Sequence, residues 1–485
     1  MVYSQILLRG GTLLIHDNNN RVVPQVSDLL VQEDHIHLIN DIIDPPEGAR
    51  IIDCHGSLVS PGLIDTHKHL WQSQQKGLHA DQILADYFCS GNLASSHYAP
   101  DDIFWGVLAS ALESIDAGTT TVVDHAHVNY SSDHSYEVLR ATFSSGIRSI
   151  FCYCVHPLVT SWQPELKMSK DLFPSWVMDT FRELAAVQPF GPNGRVRLGS
   201  ALDVMFVAET KLRQIFDEVH GLGAHLITCH DTRPSKLGAI LSAASVMHKN
   251  NLLGPDVLLS HANKILDEEL RYVRESGAHL TSTPLSEMQM GHGHPVCLLE
   301  SFFPISSIGT DSNSICTSYI PTQMTVALLA TPSPTVEDAY NLGTILGAHA
   351  IGMSEKIGSL AVGKKADIVV FHGHSPAMVA AAHHNPVTAI VLHSSVRDVQ
   401  TVIVDGVIRK DEFSLRRVKV SDKITPDKEQ RNDNVELLGW ADVAKGLDQS
   451  RRRLERIREE HVDEEVAKNG LAQCLFEVMA LTAEK

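Results

Sequence analysis

The stretch PGLIDTHKHLW, Pro61–Trp71, begins as a buried strand would and ends in polar side chains. Leu63 and Ile64 are apolar, whereas His67 and His69 follow only one residue apart. Alternate residues of a strand point to the same face, so these two imidazoles would lie side by side. Such a pair suits a divalent metal such as zinc. Two polar loop histidines fit the stretch equally well, because the chain contains 27 histidines.

The composition limits the classes of function. The chain has 485 residues, of which 43% are hydrophobic, and this suits one large barrel with a smaller module. The formal net charge of −18 argues against nucleic acid or an anionic membrane as a partner. The amino terminus lacks the pattern of a secretory signal, and no stretch is apolar for the roughly 18 residues that a membrane helix needs. The eight cysteines are too scattered for a disulfide framework, so we expect a cytoplasmic protein.

The order of apolar runs predicts the domain organisation. Residues 1–58 contain short β segments, and residues 355–420 return to that pattern, so both chain ends are expected to form one composite β-sandwich domain. Between them, in residues 59–354, short β-rich runs alternate with amphipathic helical windows, which predicts a (β/α)₈ TIM barrel. A doubly wound sheet is the alternative. It is weakened because no Gly-rich phosphate-binding fingerprint follows the first strand.

The last part of the chain, residues 421–485, is charged and has a helical pattern, which predicts a C-terminal helical extension. Its segment SRRRLERIREE, residues 450–460, could be a basic helix that binds nucleic acid. The glutamates among its arginines favour a solvated or subunit-packing helix instead.

Metal-ligand residue types recur at the ends of several predicted strands. Besides the first pair of histidines, HLITCH ends in His230, LLSHAN contains His261 and SIGTDS contains Asp311. The carboxyl ends of barrel strands meet at the active-site face. One polar strand end is commonplace, but several with imidazoles or a carboxylate are hard to explain as solvated loops. The sequence therefore predicts a metal centre at the mouth of the barrel.

These motifs, in this order, resemble the amidohydrolase superfamily. The set PGLIDTHKH, HLITCH, LLSHAN and SIGTDS looks most like its aminohydrolases and chlorohydrolases of purines, pyrimidines and s-triazines. IGSLAVGKKADIVVF followed by VQTVIVDGVI resembles the C-terminal β-sandwich return of that branch. The resemblance implies a metal-dependent hydrolase of a non-peptide C–N bond in a small, cyclic or heteroaromatic substrate. By analogy it also implies a homo-oligomer.

The resemblance assigns roles to individual residues. The implied ligands of one divalent ion are His67, His69, His230 and Asp311. Zinc suits three imidazoles and a carboxylate, and Fe²⁺ or Mn²⁺ are alternatives. The ion would lower the pKa of a bound water so that hydroxide attacks the substrate, Asp311 would take the proton, and His261 would orient the water or stabilise developing charge. Binuclear relatives commonly use a lysine after the fourth strand. Residues 195–206, RVRLGSALDVMF, contain no lysine, so one metal is expected.

The chain departs from the pattern at residue 233. Many deaminases of this branch carry a proton-shuttling glutamate three residues after the strand-five histidine, where this chain has Arg233. Arginine cannot give up its proton, but it could bind an acidic substituent of the substrate. Glu287 is a candidate substitute that would donate a proton to the leaving group, and a solvent-facing loop residue is the alternative reading. Hydrolysis of a cyclic amide or a chloro-heterocycle is therefore an alternative function. A further alternative is a barrel that serves as a non-catalytic scaffold.

Further residues are candidates for substrate contact. His125 and His127 form a second H-x-H, for which contact with substrate or support of the ligands is favoured over a second metal. Trp71 could stack on an aromatic substrate or simply pack in the core. The predicted substrate-binding residues are Trp71, Gln72, His125, His127, Arg233 and His292. The apolar context of Cys152 and Cys154, RSIFCYCV, favours buried core cysteines over a thiol metal pair.

Overall fold

The computed structural model describes residues 3–191, 193–233, 242–421, 436–462, 467 and 470–471. Its centre is a parallel sheet whose strands alternate with helices. We number its members in chain order as barrel strands one to eight, and the eighth is interrupted. They are Leu63–His69, Thr119–Ala126, Arg148–Val155, Val196–Leu202, Ile227–Asp231, Val257–His261, His279–Ser282, and Ser306–Ile308 with Asp311–Ser312.

The interrupted eighth strand joins the two edges of the sheet. Ser306–Ile308 pairs with strand seven, and Asp311–Ser312 pairs with strand one, both in parallel. Gly309 lies at the interruption, where a Cβ atom would come 2.6 Å from the backbone oxygen of His67. Only glycine permits so close an approach of two backbones. The parallel, curled sheet fits the predicted TIM-like barrel, and the doubly wound alternative is wrong.

The helices bury one face each. Helix Glu209–Gly221, for example, buries Leu212, Ile215, Phe216 and Val219 at the three-to-four-residue spacing of an amphipathic helix. The described α-helices are Leu84–Tyr87, Pro100–Asp116, Ser132–Ser145, Ser175–Val187, Glu209–Gly221, Ala243–Lys249, Asp267–Ser276, Pro284–Gln289, Ile320–Ala330, Val336–Leu342, Ile345–Ala350, Val379–His384, Pro386–Thr388 and Trp440–His461.

Both chain ends contribute to a second sheet, which we call the terminal sheet. Leu58–Pro61, just before the barrel, pairs antiparallel with Ile368–Phe371, just after it. The strands of the terminal sheet are Gln5–His16, Val22–Gln32, His35–Asn40, Arg50–Asp53, Leu58–Pro61, Ile368–Phe371, Val399–Val404, Val407–Asp411 and Ser414–Leu415. Two small antiparallel pairs complete the strands: Val159–Ser161 with Lys167–Met168, and Val418–Lys419 with Leu437–Leu438.

The predicted C-terminal helix is present as Trp440–His461 and packs against helix Pro100–Asp116. Ser450 donates a hydrogen bond of 2.7 Å to Asp102, and Arg453 forms an ion pair with the same carboxylate. Through these two polar side chains, the helix packs on the barrel of the same chain. The remainder of the predicted extension, apart from the residues given above, lies outside the described residues. No helix within the described part of the chain is long and apolar enough to cross a membrane.

Candidate metal centre

Barrel strand one carries two of the predicted ligands. His69 Nδ1 lies 2.8 Å from the backbone oxygen of His125. Because a carbonyl oxygen can only accept, Nδ1 donates this bond, and Nε2 is the nitrogen left for a metal. His69 Nε2 lies 3.1 Å from Asp311 Oδ1. The strand thus fixes the tautomer in which Nε2 can bind a metal.

His67 fits a metal ligand by its unpaired nitrogen. Its Nδ1 lies 2.8 Å from the hydroxyl of Ser260, whereas its Nε2 is buried without a hydrogen-bond partner and lies 3.5 Å from Asp311 Oδ1. Burial lowers the pKa of His67 well below its usual range, so the ring stays neutral. A neutral, buried nitrogen with no partner is the state that a metal ligand requires.

His230 is oriented by a carboxylate. Its Nδ1 lies 3.0 Å from both oxygens of Asp203, the residue that directly follows barrel strand four. This is the carboxylate–histidine arrangement that orients metal ligands and leaves Nε2 available. Burial alone would raise the pKa of Asp203, but the imidazoles of His230 and His125 hold it well below its usual range. Asp203 is therefore ionised.

The backbone is strained where two of the site residues sit. Asp311 has φ +62°, and His261 and Ala262 have φ +73° and +55°. Non-glycine residues in this region cost about 1–3 kcal/mol each, and they cluster at functional sites. The His67 and His230 ring centroids are 5.0 Å apart, and those of His67 and His261 are 5.2 Å apart. The structure therefore brings the four predicted ligands and His261 together at the carboxyl ends of the barrel strands.

Glu287 lies next to His261 but does not face solvent. It belongs to the helix Pro284–Gln289, where a loop was expected, and it is fully buried. Its oxygens accept hydrogen bonds of 2.7–3.0 Å from the Ser282 hydroxyl and the Thr283 amide, and Oε1 lies 3.7 Å from His261 Nδ1. The solvent-facing alternative is therefore wrong. The position suits support of His261 better than contact with a substrate.

Two of the predicted contact histidines adjoin the centre with free nitrogens. The ring of His292 stacks on that of His261 at 4.8 Å, and its buried Nδ1 has no partner. The His127 ring lies 4.1 Å from that of His69, and neither of its nitrogens has a partner. Burial lowers the pKa of His292 to about 3 and that of His127 well below its usual range. Both rings are neutral and can accept or donate a hydrogen bond to a small molecule.

Two other predicted contact residues have contacts within the protein, although Trp71 Nε1 and Gln72 Oε1 are buried without a hydrogen-bond partner. Trp71 is buried against the rings of Tyr98 and His127, at 5.0 and 5.4 Å. The amide of Gln72 donates to the Tyr87 hydroxyl at 2.6 Å. These contacts match the packing alternative for Trp71.

Arg233 and His125 also have partners of their own. Arg233 pairs with the carboxylate of Glu269, a residue of helix Asp267–Ser276. His125 Nε2 lies 2.9 Å from Asp203 Oδ2. An acidic substituent of a substrate would therefore compete with Glu269 for Arg233.

Sequence reasoning missed Asp203 and Ser260. Asp203 stands at the carboxyl end of barrel strand four, so the rule that selected His230 and Asp311 would also have selected it. Ser260 precedes His261 and carries no signal of its own, because only the fold brings its hydroxyl to His67.

Curated relatives are named as nucleoside deaminases. A 5-methylthioadenosine/S-adenosylhomocysteine deaminase from Acetivibrio thermocellus is 27% identical over 440 residues, covering 85% of this chain and 95% of the relative. A 5'-deoxyadenosine deaminase from Methanobrevibacter smithii is 26% identical over 403 residues, covering 80% of this chain and 89% of the relative.

Solved structures share the fold. An adenosine deaminase from Xanthomonas campestris with bound zinc has a TM-score of 0.72 at 15% identity, over 93% of this chain and 98% of that one. Atrazine chlorohydrolase from Arthrobacter aurescens, complexed with zinc, has a TM-score of 0.73 at 19% identity, over 93% and 100%. The sequence itself matches the Amidohydrolase family over residues 58–184 and 199–409, which is more than half of the chain. The protein therefore belongs to the amidohydrolase family.

Proposed function

We propose that this amidohydrolase, a metal-dependent hydrolase of C–N bonds, removes an amino group from the heteroaromatic ring of a small molecule. The observation that carries the proposal is the convergence of His67, His69, His230 and Asp311 at the barrel mouth, with the rings of His69 and His230 within 5.0 Å of that of His67. The names of the curated relatives make adenosine-like nucleosides the first substrate class to test.

The residues present fit a single divalent ion, and zinc is the first choice. His67, His69 and His230 would offer Nε2, because Nδ1 of each is engaged elsewhere, and Asp311 would offer a carboxylate oxygen. Three nitrogens and one oxygen suit zinc, while Fe²⁺ and Mn²⁺ accept similar sites. The ion, when bound, supplies Lewis acidity that brings the pKa of water toward neutrality.

Asp311 and His261 would handle the protons and the developing charge. Asp311 Oδ1 lies 3.1 Å from His69 Nε2 and 3.5 Å from His67 Nε2, and its carboxylate would accept a proton from the attacking water. His261, fixed through Nδ1 by Thr283 Oγ1 at 3.0 Å, would meet the negative charge that develops on the ring nitrogen. Water adds to the ring carbon and gives one proton to Asp311; that proton then passes to the amino group, the C–N bond breaks, and ammonia leaves.

A second candidate function follows from residue 233. Arg233 is held by Glu269, so this position offers no carboxylate to protonate a leaving amine. Chloride needs no proton to leave, and the nitrogen of a cyclic amide could take its proton from another group. Hydrolysis of a chloro-heterocycle or a cyclic amide at the same centre is therefore the alternative to deamination.

The test is mass spectrometry of the products with zinc-loaded protein. The substrate panel would contain 5'-deoxyadenosine, 5-methylthioadenosine, other amino-heterocycles, chlorotriazines and cyclic amides. Replacement of an amino group by hydroxyl, with release of ammonia, supports deamination, and the product must disappear with His67→Ala. His220→Ala, which removes a surface histidine on helix Glu209–Gly221, is the matched control that should retain activity. Loss of chloride or opening of a ring would support the alternative.

The architectural predictions belong to the same proposal. We propose a composite domain of residues 1–58 and 355–420, in which the terminal sheet forms a sandwich, a catalytic barrel of residues 59–354, and a C-terminal extension of residues 421–485. A homo-oligomer in the cytoplasm, acting on a small molecule without nucleic acid or membrane, completes the proposal.

A further inference from the structure

A second group of metal-binding side chains lies beside the candidate centre. His125 and Cys154 are the penultimate residues of barrel strands two and three, and Asp203 directly follows strand four. His125 Nε2 lies 2.9 Å from Asp203 Oδ2, and Cys154 Sγ lies 3.6 Å from that nitrogen and 3.9 Å from that oxygen. Three neighbouring strands thus direct an imidazole, a thiol and a carboxylate to one point.

The same three residue types could form a nucleophilic relay, but the geometry opposes it. In a Cys–His–Asp relay, the thiol and the carboxylate bind opposite nitrogens of the imidazole. Here both approach Nε2 of His125, while its Nδ1 is buried without a partner. The carboxylate therefore cannot orient the ring toward the thiol, and a thiol nucleophile is not built.

The three distances match one face of a metal tetrahedron. With ordinary zinc–ligand bond lengths, tetrahedral coordination places nitrogen and oxygen about 3.4 Å apart and sulfur about 3.6 Å from either. The observed 2.9, 3.6 and 3.9 Å differ from these values by about 0.5 Å or less. We propose that His125, Cys154 and Asp203 form a second divalent-cation site, selective for zinc because a thiolate and an imidazole are among its preferred ligands.

The charges and the access also suit a cation. Binding releases the thiol proton to solvent, so a thiolate and a carboxylate would balance the two positive charges of the ion. Cys154 is buried, and its other close acceptor is the Val155 carbonyl at 3.7 Å, so the sulfur has no strong competing bond. The side chain of Asp203 is 23% exposed, which gives the ion a path from solvent. A water can complete the coordination from that side.

The second site would use the carboxylate that orients His230, a proposed ligand of the first site. Asp203 Oδ2 faces His125, while Oδ1 lies 3.0 Å from His230 Nδ1 and can keep that hydrogen bond. An ion at the second site would thus be coupled to the orientation of His230. This inference adds to the single ion of the proposed function, which was expected because residues 195–206 contain no lysine. Asp203, in the same stretch, supplies the carboxylate instead.

Cobalt substitution tests the second site, because only a thiolate ligand gives Co²⁺ a strong sulfur-to-cobalt absorption in the near ultraviolet. Among the described residues, this is the one metal-competent group that contains a cysteine. Metal-depleted full-length protein would be titrated with Co²⁺, and bound metal would be counted. The wild type should bind about two ions per chain and show the thiolate band, because both ligand sets are present. Binding of about one ion without that band would overturn the proposal.

Two cysteine variants complete the test. Cys154→Ala should lose the band and about one ion, whereas Cys152→Ala, two residues earlier on the same strand and also buried, should keep both. Persistence of the band in Cys154→Ala would overturn the proposal. Should that variant fail to fold, Cys154→Ser gives the same comparison with a smaller change in polarity. His67→Ala should abolish the proposed hydrolysis and keep the thiolate band, so failure of the proposed function and failure of the second site are told apart.

Discussion

Two buried polar clusters lie at opposite ends of the barrel strands, and they differ in how far their polar atoms are satisfied. The basal cluster consists of Arg148, Asp367 and Asp405. Arg148 is the first residue of barrel strand three, and the two aspartates adjoin strands of the terminal sheet. The Arg148 guanidinium donates bonds of 2.7 and 3.0 Å to Asp367 and one of 2.8 Å to Asp405. The carboxylates neutralise the buried guanidinium, and these bonds connect the barrel to the terminal sheet.

The mouth cluster is the set of histidines around Asp311, and it leaves buried nitrogens without partners. They include His67 Nε2, both nitrogens of His127, and Nδ1 of His292. An unsatisfied buried polar group costs about 1–3 kcal/mol. The Arg148 guanidinium at the base is satisfied by carboxylates, whereas the unpaired nitrogens at the mouth are atoms that a bound metal or substrate would satisfy.

The largest expected effect comes from removing a ligand of the mouth cluster. Asp311→Asn should lower kcat/KM by more than about 10³-fold, because it removes both a proposed metal ligand and the proposed proton acceptor. Steady-state kinetics on the substrate found by mass spectrometry would measure this, with the melting temperature as a control for folding. Substantial activity in the folded variant would remove Asp311 from the mechanism.

Breaking the basal cluster should lower the stability of the protein and leave its activity unchanged. Arg148→Met leaves two buried carboxylates without their main cation and should destabilise the protein by about 3–5 kcal/mol. The folded fraction should keep its kcat, since Arg148 lies at the amino end of the strand. Urea denaturation would measure the loss. Arg182→Met, at a half-exposed ion pair, is the matched control and should cause a much smaller loss of stability. Equal losses in the two variants would contradict the comparison.

The sequence predicted the mouth better than the base. Strand alternation and strand ends located His67, His69 and Asp311, because the carboxyl ends of parallel strands converge whatever lies between them. The basal cluster joins residues more than 200 positions apart, Arg148 and Asp367. No local pattern marks such a pair, so only the closed fold reveals it.

Other differences have local physical causes. The resemblance to the family predicts a loop around Glu287, yet Pro284 begins a six-residue helix that buries it. The partner of Arg233 is Glu269, which faces it from a neighbouring helix and could not be inferred from the H-x-x-R spacing. The eighth strand was predicted, but its interruption at Gly309 depends on the close passage of strand one.

A smaller effect should follow from removing the support of a mouth ligand. Ser260→Ala removes the partner of His67 Nδ1 and should weaken metal affinity by about 10-fold, the lower end of what supporting hydrogen bonds contribute. Competition with a chromophoric chelator would measure the affinity. Ser149→Ala is the matched control, because the buried hydroxyl of Ser149 has no hydrogen-bond partner. Unchanged affinity in Ser260→Ala would mean that His67 is oriented by packing alone.

The smallest effect concerns a partly buried histidine outside the mouth. His16, in the first strand of the terminal sheet, lies 3.1 Å from Asn341 Oδ1 through Nε2, and its Nδ1 is buried without a partner. Burial lowers the pKa of His16 from 6.5 to about 4. Between these values the unfolded chain binds the proton that the folded protein excludes, so stability falls as the pH drops from about 6.5 toward 4.

Replacement of His16 by glutamine isolates this contribution. At pH 5, wild type should have lost about 1–2 kcal/mol more than His16→Gln relative to pH 7.5, because only wild type carries this titrating group. Urea denaturation of metal-free protein at both pH values would measure the difference. The mouth histidines titrate in both proteins, so their contributions to the loss of stability cancel in the comparison. Parallel losses in the two proteins would mean that His16 keeps solvent access when folded, and that burial without a partner is not enough to keep a histidine neutral in this fold.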